Sequence, residues 1–215
     1  IHTDEASFDI QFGNLTRKVH TNTSWDMARF ESCGQKWMDL SEGHYGVSLI
    51  NDCKYGHSVK NSDMSLTLIK SGIEPNPVSD QEEHFFTYAL YPHTGNLRDC
   101  DTVRESYKLN YPALSVHAGT PGKCESLFSI DQKNVMSETV KASEDGDGLI
   151  LRFYEYENTK TNAKLSFGMD KKIKNIFECN LIEEVMDQPV EHDENSFGFA
   201  IKPFEIKTYK IIFCE

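Results

Sequence analysis

The chain has 215 residues, with 34 acidic and 22 basic side chains and a net charge of −12. Apolar residues make up 38% and charged residues 26%, the balance of a folded globular chain and not of a disordered one. A field of that sign repels a phosphate backbone, and Lys and Arg cluster only at Arg17-Lys18 and between Lys171 and Lys174, which excludes nucleic acid as a partner.

Strand patterns dominate from the N-terminal end onward. Tyr45, Val47 and Leu49 alternate with Gly46, Ser48 and Ile50, and Leu66 and Leu68 alternate with Ser65 and Thr67. Glu74-Pro75-Asn76-Pro77 breaks the pattern as a loop between two strands. The run Phe85 to Tyr91 is aromatic and apolar on both faces, which predicts a strand buried on both sides, with Tyr88 and Tyr91 in the core. Leu97, Cys100, Val103, Arg104 and Tyr107 then fall three or four apart and predict one short helix near 98–108. Asp99 and Asp101 sit at its start, where carboxylates suit the helix dipole, and Pro112 stops it. Gly119 to Gly122 reads as a tight turn, and Ser143 to Gly148 as a strong turn and a domain boundary. Leu149 to Tyr156, Phe197 to Ile201 and Phe204 to Phe213 supply the strands of a second, smaller sandwich. The predicted division is 1–143 and 144–215.

No apolar run is long enough to span a membrane, so none is expected as a partner. Six cysteines are spread along the chain without a Cys-x-x-Cys pair, which argues against a structural zinc site and for buried free thiols in a reducing compartment. Asn14-Leu15-Thr16 and Asn22-Thr23-Ser24 are acceptor tripeptides common by chance. His57, His93 and His117 have no metal-ligand spacing, and no Gly-x-Ser-x-Gly elbow supports a hydrolase triad.

Five strings are too long and too specific to be generic: NTSWDMARFE (22–31), DLSEGHYGVSLINDCKYGH (39–57), QEEHFFTYALYPH (81–93), EDGDGLILRFYE (144–155) and KPFEIKTYKI (202–211). In that order they resemble the C-terminal region of glycoside hydrolase family 38, in the bacterial, fungal and cytosolic branch of its α-mannosidases. The resemblance implies an all-β fold. It consists of an antiparallel supersandwich of the galactose-mutarotase type, followed by a small immunoglobulin-like β-sandwich. It implies a zinc-dependent retaining exo-α-mannosidase as the parent, whose Asp nucleophile, acid/base carboxylate and zinc ligands lie in an N-terminal catalytic domain. That domain, an α-mannoside or oligosaccharide substrate and a homo-oligomer are the implied partners, and the cytoplasm is the implied location. The family zinc motif is His-x-Asp at an apolar strand end. His2-Thr3-Asp4 matches the bare pattern but stands in a polar terminus, so this chain is expected to hold no catalytic residue, metal or cofactor of its own.

In the family this region helps line the rim of the active-site cleft. The turn after the strand ending at Ile50 carries Asn51, Asp52, Lys54 and Tyr55, an amide, an acid, a base and a ring that could hydrogen-bond sugar hydroxyls and stack on a pyranose. Lys70, where family members often carry Arg, and the acidic loop with Asp80 and Glu83 form a second set of rim candidates. Their bland counterpart is an inter-domain salt bridge. Trp25 and Trp37 are more readily packing anchors than sugar platforms. A free-standing carbohydrate-binding module is the alternative to a scaffold within a larger enzyme.

Overall fold

The computed structural model describes residues 1–117, 126–169 and 171–214. The turn expected at Gly119 to Gly122 lies outside them, as does Cys124. The chain forms two compact units, Ile1–Val116 and His117–Glu215.

The first unit is built on two antiparallel sheets. The larger has the order β2-β1-β4-β5-β8, from β1 (Glu5–Ile10), β2 (Gly13–Lys18), β4 (Trp37–Glu42), β5 (Tyr45–Asn51) and β8 (Tyr88–Thr94). The smaller has the order β3-β6-β7, from β3 (Ser32–Cys33), β6 (Gly56–Lys60) and β7 (Asp63–Thr67). Strand periodicity sends alternate side chains to opposite faces. On one face of the large sheet Phe8, Met38, Leu40 and Leu49 pack with Val59, Met64 and Leu66 of the small one. On the other face lies α2 (Thr102–Asn110). The contact there is polar and buried. Thr102 and Ser48 hydroxyls meet at 2.5 Å, Ser48 donates to Asp39 Oδ2 at 2.8 Å, and His93 Nε2 reaches the same oxygen at 2.7 Å. Hydrogen bonds of this kind fix helix to sheet, because breaking them would strand a buried carboxyl group, although His93 Nδ1 has no partner among the described residues.

Register exposes an incomplete layer. Phe8, Met38, Leu49 and Leu90 form one cross-strand row. The first three are in the core, whereas Leu90 is 67% exposed because β8 is an edge strand that the three-stranded sheet leaves uncovered. Tyr88, two residues earlier on the same face of β8, is exposed too, as is Phe85 before the strand. The doubly buried strand predicted at Phe85 to Tyr91 is therefore an edge strand shifted to Tyr88–Thr94, and Tyr88 is not core. Pro92, which has no N–H to give a further strand, is at home on such an edge.

Hydrophobic periodicity does not mark α1 (Ser24–Ala28), a single turn held by a capping box in which Thr23 and Asp26 each satisfy the other's backbone N–H; the Thr-x-x-Asp spacing is its one sequence signal. It presents Trp25 outward at 83% exposure, against 1% for Trp37. Packing anchors Trp37 only.

The second unit is a seven-stranded sandwich among the described residues. One sheet has the order β10-β11-β15-β13, from β10 (Val135–Ala142), β11 (Leu149–Glu155), β13 (Ile173–Cys179) and β15 (Ile206–Phe213). The other has the order β14-β12-β9, from β9 (Phe128–Ile130), β12 (Thr161–Phe167) and β14 (Ser196–Ile201). Leu165, Phe197 and Phe199 from one sheet meet Leu151, Phe153 and Tyr209 from the other. Glu155 is wholly buried and ionic partners are not its means of support. Its two oxygens accept from Asn134 Nδ2 and from the N–H groups of Glu157, Thr159 and Phe204 at 2.7–3.1 Å.

The boundary expected at Ser143 to Gly148 is a hairpin turn inside this unit. Ala142 pairs with Leu149, Ser143 N–H donates to Gly148 O at 2.9 Å, and Gly146 takes φ +79°. A Gly-rich acidic turn has the same composition whether it closes a hairpin or links domains, and here β10 buries Val135 in the second core. The expectation of mostly buried thiols also fails, since Cys33, Cys53 and Cys214 are exposed while Cys100 and Cys179 are buried.

Candidate functional site

The 51–55 turn sits at the end of the first unit where β5 passes into β6. Asn51 organises it. Its Oδ1 accepts from the Cys53 N–H at 3.2 Å and the Lys54 N–H at 2.6 Å, closing an Asx-type turn. Its Nδ2 donates to Gln35 O at 2.9 Å and approaches His57 Nε2 at 3.4 Å. Its backbone O accepts from Asn110 Nδ2 of α2 at 3.0 Å. At 0% exposure Asn51 cannot touch a ligand. It organises the turn from inside, so the expectation that Asn51 itself meets a sugar is corrected by its burial.

Asp52 follows on the surface side. Its N–H donates to Thr87 O at 3.2 Å and its Oδ2 accepts from Thr87 N–H at 3.0 Å, which ties the turn to the start of β8. Oδ1 is buried and accepts no hydrogen bond among the described residues. Partial burial works to raise its pKa, but the Thr87 N–H and the Cys53 thiol outweigh that and hold the carboxyl below its usual range. The same charge pushes the Cys53 thiol up. Lys54 Nζ lies 5.0 Å from the centroid of the Phe86 ring, a cation–π contact, and Tyr55 is exposed. An ionised carboxylate, a positioned ammonium and an open ring thus share one short turn.

The second set of candidates reaches the same end of the unit by topology. Thr67, the last residue of β7, pairs with Gly56, so the chain toward Lys70 leaves beside the turn. Lys70 lies past the strand end and is exposed, as are Asp80 and Glu83 in the following loop. Asp80 takes φ +55° and its carbonyl accepts from His84 Nε2 at 3.0 Å. Lys70, Asp80 and Glu83 have no described contact with the turn. Sequence reasoning missed Thr87, Phe86 and His57 as parts of this site. His57 stood in the quoted string, but nothing in one dimension shows that it packs under Asn51.

His2 and Asp4 do not converge. The His2 N–H donates to Glu42 at 2.7 Å, and Asp4 pairs with Lys18 at 2.9 Å. Among the described residues no three His, Cys, Asp or Glu side chains are grouped to hold a metal ion. None of the described helices is long and apolar enough to cross a membrane.

Residues 1–78 match the model of the glycosyl hydrolases family 38 C-terminal domain, and residues 134–209 match that of the family 38 C-terminal β-sandwich domain. The chain belongs to glycoside hydrolase family 38, as part of its C-terminal region. Alpha-mannosidase G of Dictyostelium discoideum is 37% identical over 218 residues, which are 99% of this chain and 20% of that protein. Human alpha-mannosidase 2C1 is 36% identical over 99% of this chain and 21% of its own length. An alpha-mannosidase from Saccharomyces cerevisiae is 32% identical over 99% of the chain and 22% of its own length. The family 38 chain therefore spans about one fifth of the curated relatives it matches. In fold it is similar to the crystal structure of an alpha-mannosidase from Enterococcus faecalis, with a TM-score of 0.78 at 18% identity, covering 98% of this chain and 24% of that one. A second family 38 structure from Enterococcus faecalis gives a TM-score of 0.75 at 17% identity, over 98% of this chain and 25% of that one.

Proposed function

We propose that the chain is the non-catalytic C-terminal portion of a zinc-dependent retaining exo-α-mannosidase, where it scaffolds the catalytic portion and completes the rim of its sugar cleft. The observation that carries this reading is the row Phe8–Met38–Leu49–Leu90, whose last member lies uncovered on the same strand face as the exposed Tyr88. Apolar side chains left in water on one strand face call for a partner, and relatives about five times as long have the length to provide one in the same polypeptide. The rim lies next to that surface through the Asp52–Thr87 hydrogen bonds. The Asp52 carboxylate and the Lys54 ammonium would bind hydroxyls of the mannoside, with the Tyr55 ring against its apolar face. Zinc, held by the catalytic portion, would supply Lewis-acid contact to sugar hydroxyls. The exposed thiols of Cys33, Cys53 and Cys214 favour the reducing cytoplasm as the place of action.

The test is hydrolysis of a chromogenic α-mannoside, with zinc added, by the folded 215-residue chain and by the full-length polypeptide that contains it. The isolated chain is expected to be inactive and the full-length protein active. In the latter, Asp52→Asn and Tyr55→Ala should raise KM more than they lower kcat. Zinc-dependent turnover by the isolated chain would overturn the division of roles.

A further inference from the structure

We propose that His57 is a positioning residue for the 51–55 rim turn, and that it holds the turn only while its ring is neutral. The proposal rests on the rim reading above for its consequence in catalysis, but not for its geometry. His57 is wholly buried, and both ring nitrogens address the turn. Nδ1 lies 3.2 Å from the Tyr55 carbonyl oxygen, which can only accept, so Nδ1 carries the hydrogen. Nε2 is then a bare lone pair, and it faces the Asn51 side-chain NH₂ at 3.4 Å, which can only donate. The two contacts fix a single tautomer and grip both ends of the turn, Asn51 where it begins and Tyr55 where it closes.

The ring has no room to swing away. A Cβ on Gly34 would stand 3.0 Å from Nδ1, and the Phe8 ring meets the imidazole edge-on at 6.4 Å. The Gly34 N–H also donates to Tyr55 O at 3.1 Å, so that carbonyl is held by two donors. A proton added to Nε2 would set N–H against N–H at Asn51. The amide would have to turn, and turning it exchanges Nδ2 and Oδ1. Oδ1 would then leave the Cys53 and Lys54 N–H groups, which are the hydrogen bonds that define the turn.

Burial of the ring opposes that proton. Burial is the main cause of a lowered His57 pKa, and the Arg17 guanidinium from β2 adds to it, while the Tyr55 carbonyl and Glu31, just before β3, work the other way. With the folded pKa depressed, the stabilisation is present above the ordinary unfolded value, roughly 6.5, and is lost as pH falls through the folded one.

The experiment is a pH titration of the 215-residue chain by NMR, following the His57 ring, the Asn51 side-chain NH₂ and the Cys53 and Lys54 amides. All four should move with one midpoint, below that of an exposed histidine. His57→Gln, whose neutral amide can give one hydrogen to Tyr55 O and accept one from Asn51, should keep the turn and abolish its titration. A His57 ring that titrates while the turn signals stand still would overturn the proposal, as would turn signals that keep the same midpoint in His57→Gln, apart from the separate, more acidic step of the Asp52 carboxyl. The wild-type titration decides even if the variant does not fold. In the full-length enzyme, acidification through the same midpoint should raise KM for an α-mannoside by about threefold or more with little change in kcat, and His57→Gln should flatten that rise. A turn that moves with His57 without any effect on KM would leave the latch standing and sink the rim reading instead.

Discussion

Replacing Asn51 by Ala tests whether one buried amide builds the 51–55 turn. The substitution removes every side-chain hydrogen bond that Asn51 makes. The Cys53 and Lys54 N–H groups belong to a turn at the surface and recover water, so their loss is modest. Gln35 O and His57 Nε2 lose a donor in the interior, where an unsatisfied group costs about 1–3 kcal/mol. A net destabilisation of about 3 kcal/mol follows, mostly from these two. Both tryptophans, Trp25 and Trp37, lie in the first unit, so tryptophan fluorescence in urea reports on that unit alone. With a slope of about 1.5 kcal/mol per M for a domain of this size, the midpoint should fall by about 2 M. The second unit, followed by circular dichroism, should not respond. In the full-length enzyme the same variant should raise KM under conditions where it remains folded. A midpoint within about 0.3 M of wild type would refute the account of Asn51 as the organiser of the turn.

Two further outcomes follow from the packing. Leu90→Asp should leave the isolated chain about as stable as wild type, within about 0.5 kcal/mol, because the side chain is already in water. It should nevertheless reduce hydrophobic-dye binding and self-association in analytical ultracentrifugation, and unchanged values for both would remove Leu90 from the docking surface. Phe153→Ala empties the centre of the second core, where the ring meets Phe128, Phe199 and Tyr209. The expected cost is about 3–5 kcal/mol, read by circular dichroism, with the tryptophan-reported transition of the first unit unmoved. A shift of that transition by a similar amount would show that the units do not unfold independently.

Local patterning carried much of the fold. Alternation placed β5, β7, β11, β14 and β15 within a few residues, because a strand with one buried face must alternate. The 3.6-residue spacing marked α2, although its first residues, Leu97 and Cys100, lie in the turn that precedes the helix. The five long strings identified the family, and the matched models agree. Composition could not tell which aromatic runs would be covered. Phe85 to Tyr91 has the residues of a buried strand, yet its burial depends on how many strands stand opposite, and that number is a property of the small sheet alone. The same limit explains Trp25 and Trp37, which are alike in one dimension and opposite in exposure.

What the sequence determined by itself was the class of fold, the family and the chemical types available in the 51–55 turn. Those depend on residue identity and near-neighbour spacing, which the chain carries in its order. What only the tertiary structure decided was which of those residues face outward. Asn51 and His57 stand six apart and belong to different sheets, but the turn between β5 and β6 hands the chain from the large sheet to the small one and brings their side chains to 3.4 Å. Only that contact separates the buried organiser of the turn, Asn51, from the residues it leaves nearer the surface, Asp52, Lys54 and Tyr55. It is set by burial and hydrogen-bond satisfaction across strands, neither of which is written in any local pattern.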